Sequence, residues 1–203
     1  MGKIGSAEIR TQGPPWIGIA LRACYWSIFL FVILAGSFSA AQASKPTESQ
    51  VKATYLYNFG KFVTWPIDRA AVSGAFAICI LGKDTLGPIL DETVQGEKIN
   101  DKRIQVLRIS KLSEMSACNI LFISSSEENH LPGIIAEAQR VHVLTVSDIP
   151  RFAERGGTIG LVNQEDRIRF EVNRTRAEEC HLGLSSELLK VAVKVIGGNP
   201  GRS

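Results

Sequence analysis

The sequence predicts an α/β domain: a mostly parallel sheet flanked by helices on both faces, with a C-terminal antiparallel hairpin and a closing helix. Three observations predict it. Residues 76–81, 119–123 and 141–146 are short, mainly apolar runs without alternation, as strands buried on both faces are. Helical stretches alternate with them, which is the order of βαβ units. Residues 167–173 then switch to strict alternation, with Ile168, Phe170 and Val172 set against Arg167, Arg169, Glu171 and Asn173. That pattern belongs to a strand with one buried and one wet face.

The elements follow in order. Lys3, Arg10 and Arg22 precede a 17-residue apolar run, residues 23–39, closed by Ala41-Gln42-Ala43. A basic region, an apolar core and an A-x-A end make residues 1–43 a secretory signal, with cleavage expected after about Ala43. The run stands at the short limit for a membrane span. Residues 44–203 are then one exported domain. Losing Lys3, Arg10, Arg22 and Glu8 from 23 basic and 20 acidic residues takes the formal charge from +3 to +1. Such a balanced chain is unsuited to neutralising phosphates, so no nucleic acid is expected as a partner. A composition of 45% hydrophobic and 21% charged residues excludes disorder and coiled coil.

Residues 47–50, TESQ, have the form of a capping box. Behind them Val51, Tyr55, Phe59, Phe62 and Val63 recur at steps of four and three, predicting a helix over 48–64 that Pro66 ends. Further helical stretches are read at 85–93, 130–140 and 150–154, and a further strand at 104–109. Gly156-Gly157 turns into a strand at 158–162, and residues 163–166 join it to 167–172 as an antiparallel edge hairpin. Asn173 suits the cap of a short helix running to about Cys180, and Ser185 or Ser186 the cap of the last helix. Leu188, Leu189, Ala192, Val195 and Ile196 form that helix's stripe, and Gly197-Gly198 its end.

A search for chemistry excludes more than it finds. Gly82-Lys83 follows a strand, yet a phosphate loop needs glycine at 77 and a hydroxyl at 84, which are Ala and Asp. Residues 183–187, GLSSE, lack the second glycine of a nucleophile elbow. His130, His142 and His181 share no metal-ligand spacing, and His142 reads as a core histidine within a strand. Asp148 follows a strand, where α/β enzymes keep catalytic groups, and a periplasmic enzyme would use it with His181, but Ser147-Asp148 also reads as a helix start. No catalytic set, metal site or cofactor is expected. Cys79 lies in the first strand and Cys118 immediately before a later one. They are either buried thiols or, if those strands are neighbours, a disulfide closing a loop of about 40 residues, worth roughly 3 to 4 kcal/mol. Cys180 has no partner: it is either buried, or exposed and able to link two chains or sense oxidant.

Several stretches resemble the YfiR family of periplasmic proteins. They are 51–66 (VKATYLYNFGKFVTWP), 76–82 (FAICILG), 118–123 (CNILFI), 143–148 (VLTVSD), 152–157 (FAERGG), 168–173 (IRFEVN) and 184–189 (LSSELL), in the family's order. The resemblance implies a soluble periplasmic regulator, not an enzyme. Such a regulator binds the periplasmic domain of an inner-membrane diguanylate cyclase and represses cyclic di-GMP synthesis. It also implies an outer-membrane lipoprotein that sequesters the repressor, and a disulfide between Cys79 and Cys118. A second disulfide known in the family has no counterpart here, because Cys180 stands alone. A homodimer is compatible with the sequence, and no feature sets its symmetry.

Under that reading the expected partner contacts are the aromatic end Phe62, Trp65 and Pro66, and the polar row Arg167, Arg169 and Glu171. A periplasmic small-molecule sensor is the alternative. It would use the crevice at the strand ends, near residues 82–85 and Ser147-Asp148.

Overall fold

The structure is a computed structural model that describes residues 45–66 and 74–198. The signal read in residues 1–43, with its cleavage point, lies outside the described residues. Helix α1 (Glu48–Phe62) starts as the capping box requires: Thr47 accepts from the Gln50 amide, and the Gln50 side chain accepts from the Thr47 amide at 2.8 Å. It stops at Phe62, short of residue 64, because the β-branched pair Val63–Thr64 turns extended as β1. β1 pairs antiparallel with a two-residue strand far along the chain, Val63 facing Leu184.

Among the described residues the remaining strands and α-helices begin with β2 (Ala75–Leu81), α2 (Pro88–Val94), β3 (Lys98–Ile99), β4 (Lys102–Ile109), β5 (Ile120–Ile123), α3 (Leu131–Arg140) and β6 (Leu144–Ser147), with 3-10 turns at Leu112–Ala117 and Ser125–His130. After these come β7 (Ile159–Gln164), β8 (Arg167–Asn173), α4 (Arg174–Glu179), β9 (Gly183–Leu184), α5 (Ser186–Val191) and β10 (Lys194–Ile196). Among the described residues the main sheet has eight strands in the order β10-β8-β7-β6-β5-β2-β4-β3. The strands β4, β2, β5, β6 and β7 run parallel, while β3 and β8 are antiparallel to their inner neighbours. Strand order reverses at β2, which lies between β4 and β5, so the topological switch point is at its carboxyl end.

Alternation along β2 builds two cores. Phe76, Ile78 and Ile80 pack with Leu56 and Phe59 of α1, Leu90 of α2 and Leu188 of α5. Ala77, Cys79 and Leu81 pack on the other face with Ile134 and Ala138 of α3, and with Met115 and Phe152. Helices therefore cover both faces of a mostly parallel sheet, as the apolar strands require.

Five local readings are corrected. The stretch 85–93 becomes helical only at Pro88, because the Asp84 carboxylate first gathers the Leu86 and Gly87 amides into a turn. Residues 150–154 form turns, not a helix, since Arg151 takes a left-handed backbone with φ 58°. Val141 and His142 close the turn after α3, His142 with φ 53°, so the strand begins at Leu144 and His142 is not in it. The hairpin loop has two residues, Glu165 and Asp166, with φ 52° and 57°, and Asn163 and Gln164 belong to the strand. This is the doubly left-handed turn that suits the twist of paired strands. Finally β8 is not an edge. The last helix ends at Val191, and residues 194–196 add β10 parallel to it. Beyond Val191 the β-branched Val193, Val195 and Ile196 favour extended backbone, which outweighs the helical stripe read there.

Candidate interaction surface

The cysteines come first because the sheet positions them. β2 and β5 are adjacent and parallel, and Cys79 and Cys118, both fully buried on the α3 face, form a disulfide with Cα atoms 5.7 Å apart. Cys180 is a free thiol within the core on the α1 face, 2% exposed, and burial pushes its pKa up to about 11. A thiol so placed is inert, which decides between the two readings of Cys180.

At the end of α1 the predicted aromatic set divides. Trp65 is buried, its ring edge-on to Phe76 at 5.1 Å and its indole N–H donating to the Asn119 carbonyl at 3.1 Å. Its size and its hydrogen bond make it a core residue, so it offers no surface to a partner. Pro66 is half-buried. Phe62 is 40% exposed and borders an apolar groove of about 220 Å³ with Tyr55, Phe59, Phe170, Leu188 and Val191. Tyr55, Phe59 and Phe170 form the groove floor, with ring centroids 5.2–5.7 Å apart. Val191, Val193 and Val195, at 62%, 44% and 42% exposure, extend the apolar surface onto β10. Sequence reasoning missed these valines by assigning this stretch to a helix.

Arg167 and Arg169 are exposed and Glu171 is half-buried, as the alternation of β8 predicts. They project from the face opposite Phe170, because neighbouring residues on a strand point to opposite sides. Phe170 packs on Phe59 of α1, so the polar row and the Phe62 groove occupy opposite faces of the sheet.

At the strand ends the crevice residues are held in ion pairs and hydrogen bonds with their neighbours. Lys52, buried on α1, reaches Asp148 at 2.5 Å and Glu48 at 2.6 Å. Burial acts to lower the Lys52 pKa, but the hydrogen bonds and charges of Asp148 and Glu48 outweigh it and leave the group above its ordinary value. Asp84 accepts from Arg108 at 3.0 Å as well as from its own loop. Desolvation pulls its pKa upward, but those bonds outweigh it and hold the carboxyl below the usual range. Asp148 and His181 are not brought together: Asp148 follows β6, whereas His181 packs against His142 ahead of it. Among the described residues no three His, Cys, Asp or Glu side chains gather as a metal site, and no helix is long and apolar enough to cross a membrane.

Comparison with known proteins adds a family and a fold. Residues 49–193 match the model of the YfiR/HmsC-like family. A comparison with curated proteins gives no match. Among solved structures the fold is similar to a conserved domain protein from Vibrio cholerae O1 biovar eltor, with TM-score 0.50 and 10% identity over 75% of this chain and 61% of that one. An ABC domain in complex with L-Trp from Streptococcus pneumoniae matches with TM-score 0.49 and 10% identity, over 71% of this chain and 60% of that one. This chain thus spans about three fifths of the length of either structure, and at 10% identity the likeness to the Vibrio cholerae protein is one of fold alone.

Proposed function

The chain belongs to the YfiR/HmsC-like family, which at family level supports a periplasmic regulator of diguanylate cyclase, and from that premise we propose that it is a periplasmic repressor. In this reading it is exported by its amino-terminal signal and binds the periplasmic domain of an inner-membrane diguanylate cyclase, holding down cyclic di-GMP synthesis. The observation that carries the reading is the apolar groove beside Phe62, continued by Val191, Val193 and Val195. Binding energy concentrates where an aromatic anchor meets a desolvated apolar pocket. Repression further requires that the protein favour one conformation of the cyclase, since equal affinity for both shifts nothing. Arg167, Arg169 and Glu171 supply a polar surface for orientation, and an outer-membrane lipoprotein that occupies the groove relieves repression.

The test is a pull-down from detergent-solubilised membranes, using protein purified from the periplasmic fraction as bait. Recovery of a membrane diguanylate cyclase by the wild type, and its loss with Phe62→Glu, is the expected result. Recovery of no membrane protein overturns the reading. The switch point at the end of β2 favours one other function, a small-molecule sensor. A ligand-dependent rise in Tm without any protein partner would establish that function instead.

A further inference from the structure

His142 and His181 share no spacing in the chain, and the fold sets them side by side. Their ring centroids lie 5.0 Å apart with planes at 65°. One residue ends the turn between α3 and β6, the other the turn between α4 and β9, and both have left-handed backbones, φ 53° and 55°. His142 Nδ1 is 3.2 Å from the Cys180 carbonyl oxygen. A carbonyl only accepts, so that partner assigns the proton to Nδ1 and leaves the lone pair on Nε2. Ligating histidines are characteristically oriented by such a bond from the opposite ring nitrogen. Among the described residues, His142 Nε2 and both His181 ring nitrogens have no protein hydrogen-bond partner. His142 is half-buried and His181 exposed, so solvent reaches the pair.

We propose that His142 and His181 form a two-histidine site for a divalent transition ion such as Zn²⁺, Cu²⁺ or Ni²⁺. With a metal–nitrogen bond of about 2.0 Å, two imidazoles on one ion at an angle of about 90–110° hold their centroids about 4.5–5.2 Å apart. The observed separation falls within that span. Imidazole donors select these ions over Mg²⁺ and Ca²⁺, which want oxygen. The nearby carboxylates are engaged elsewhere: Glu178 pairs with Arg174 and Glu179 with Arg176, each at 2.9 Å. The Cys180 thiol points into the core and is not a ligand. Water, or a donor from a second protein, completes the coordination. A bound ion bridges the α3–β6 and α4–β9 turns at the amino end of β6.

The test uses tag-free protein, stripped with chelator and titrated calorimetrically with ZnCl₂, CuCl₂ and NiCl₂. The expected result is one ion per chain, with affinity falling about tenfold or more in His181→Ala and in His142→Asn. Asparagine tolerates the left-handed backbone at 142 and keeps that variant folded. His130→Ala, at an exposed histidine beside Glu127, leaves binding unchanged. The Cu²⁺ EPR spectrum shows two coupled imidazole nitrogens in the wild type and one in each single variant. Absence of binding at millimolar metal, or binding insensitive to both substitutions, overturns the proposal.

Discussion

A buried lysine is costly unless its charge is met, and Lys52 shows how the meeting is arranged. Its side chain is 9% exposed, and Asp148 and Glu48 hold it from two sides. Because the folded pKa is raised above 10.5, the contribution of the pair is complete below pH 10.5 and is lost only as pH rises through the folded value. Asp148→Ala should lower stability by about 2–3 kcal/mol, at the low end for a broken buried pair, since Asp148 is 23% exposed and Glu48 remains. A urea midpoint that does not move would mean the pair is screened by solvent. Cys180 makes a second pH-dependent contribution. Its thiol titrates near 9.0 when unperturbed and is pushed up to about 11 by burial, so the unfolded chain gives up the proton first. The stability held by the protonated thiol is therefore full below pH 9 and falls between pH 9 and 11. Comparing wild type with Cys180→Ala isolates this term from Lys52: the wild-type curve should drop more steeply across that window, and parallel curves would exclude it.

At the scale of elements, legibility followed periodicity. β2 and β5 were legible because a strand covered on both faces must be apolar throughout, and α1 because its cap and its stripe agree. α5 and β10 are less legible because Ala192, Val195 and Ile196 fit a helical stripe while Val193 and Val195 also fit a strand, and only pairing with β8 decides. Pairing also creates the disulfide. Locking residues 39 apart in the chain removes about 4 kcal/mol of unfolded-chain freedom in the entropic model. A Cys79→Ala, Cys118→Ala double variant should melt about 10 °C lower by calorimetry, for a chain of this size. Reductant should lower the wild-type Tm similarly and leave the variant unmoved; an equal response in both would assign the effect elsewhere. The β7–β8 turn offers a gain instead of a loss. Glu165 and Asp166 hold left-handed backbones that asparagine and glycine adopt more readily. Glu165→Asn with Asp166→Gly should add about 0.5–1 kcal/mol in a denaturant titration. A loss would mean that the loop side chains make contacts of their own.

Across the whole molecule, what the chain could not disclose was adjacency. Composition and alternation place Arg169 on a wet face and Phe62 at an aromatic end, but only the strand order puts them on opposite faces of one sheet. The same limit hid the neighbouring histidines and turned Trp65 into a surface candidate, when its indole in fact closes on Asn119. The opposition makes the binding reading divisible, because one flat partner surface cannot engage both faces equally. If the groove is the anchor, Phe62→Glu and Val191→Asp place charge in a desolvated pocket and should weaken partner binding about a hundredfold, mainly through faster dissociation. Arg169→Glu, on a solvated row, should instead slow association severalfold and make it less sensitive to salt. All three residues are at least partly exposed, so Tm should stay within about 2 °C of wild type. Surface-immobilised binding kinetics at two salt concentrations separate these effects. Should Arg169→Glu abolish binding while Phe62→Glu leaves it intact, the hairpin face would be the anchor. The exposed Val193 and Val195 at the β10 edge would then need another explanation: an edge strand with exposed apolar side chains is itself a template for strand addition.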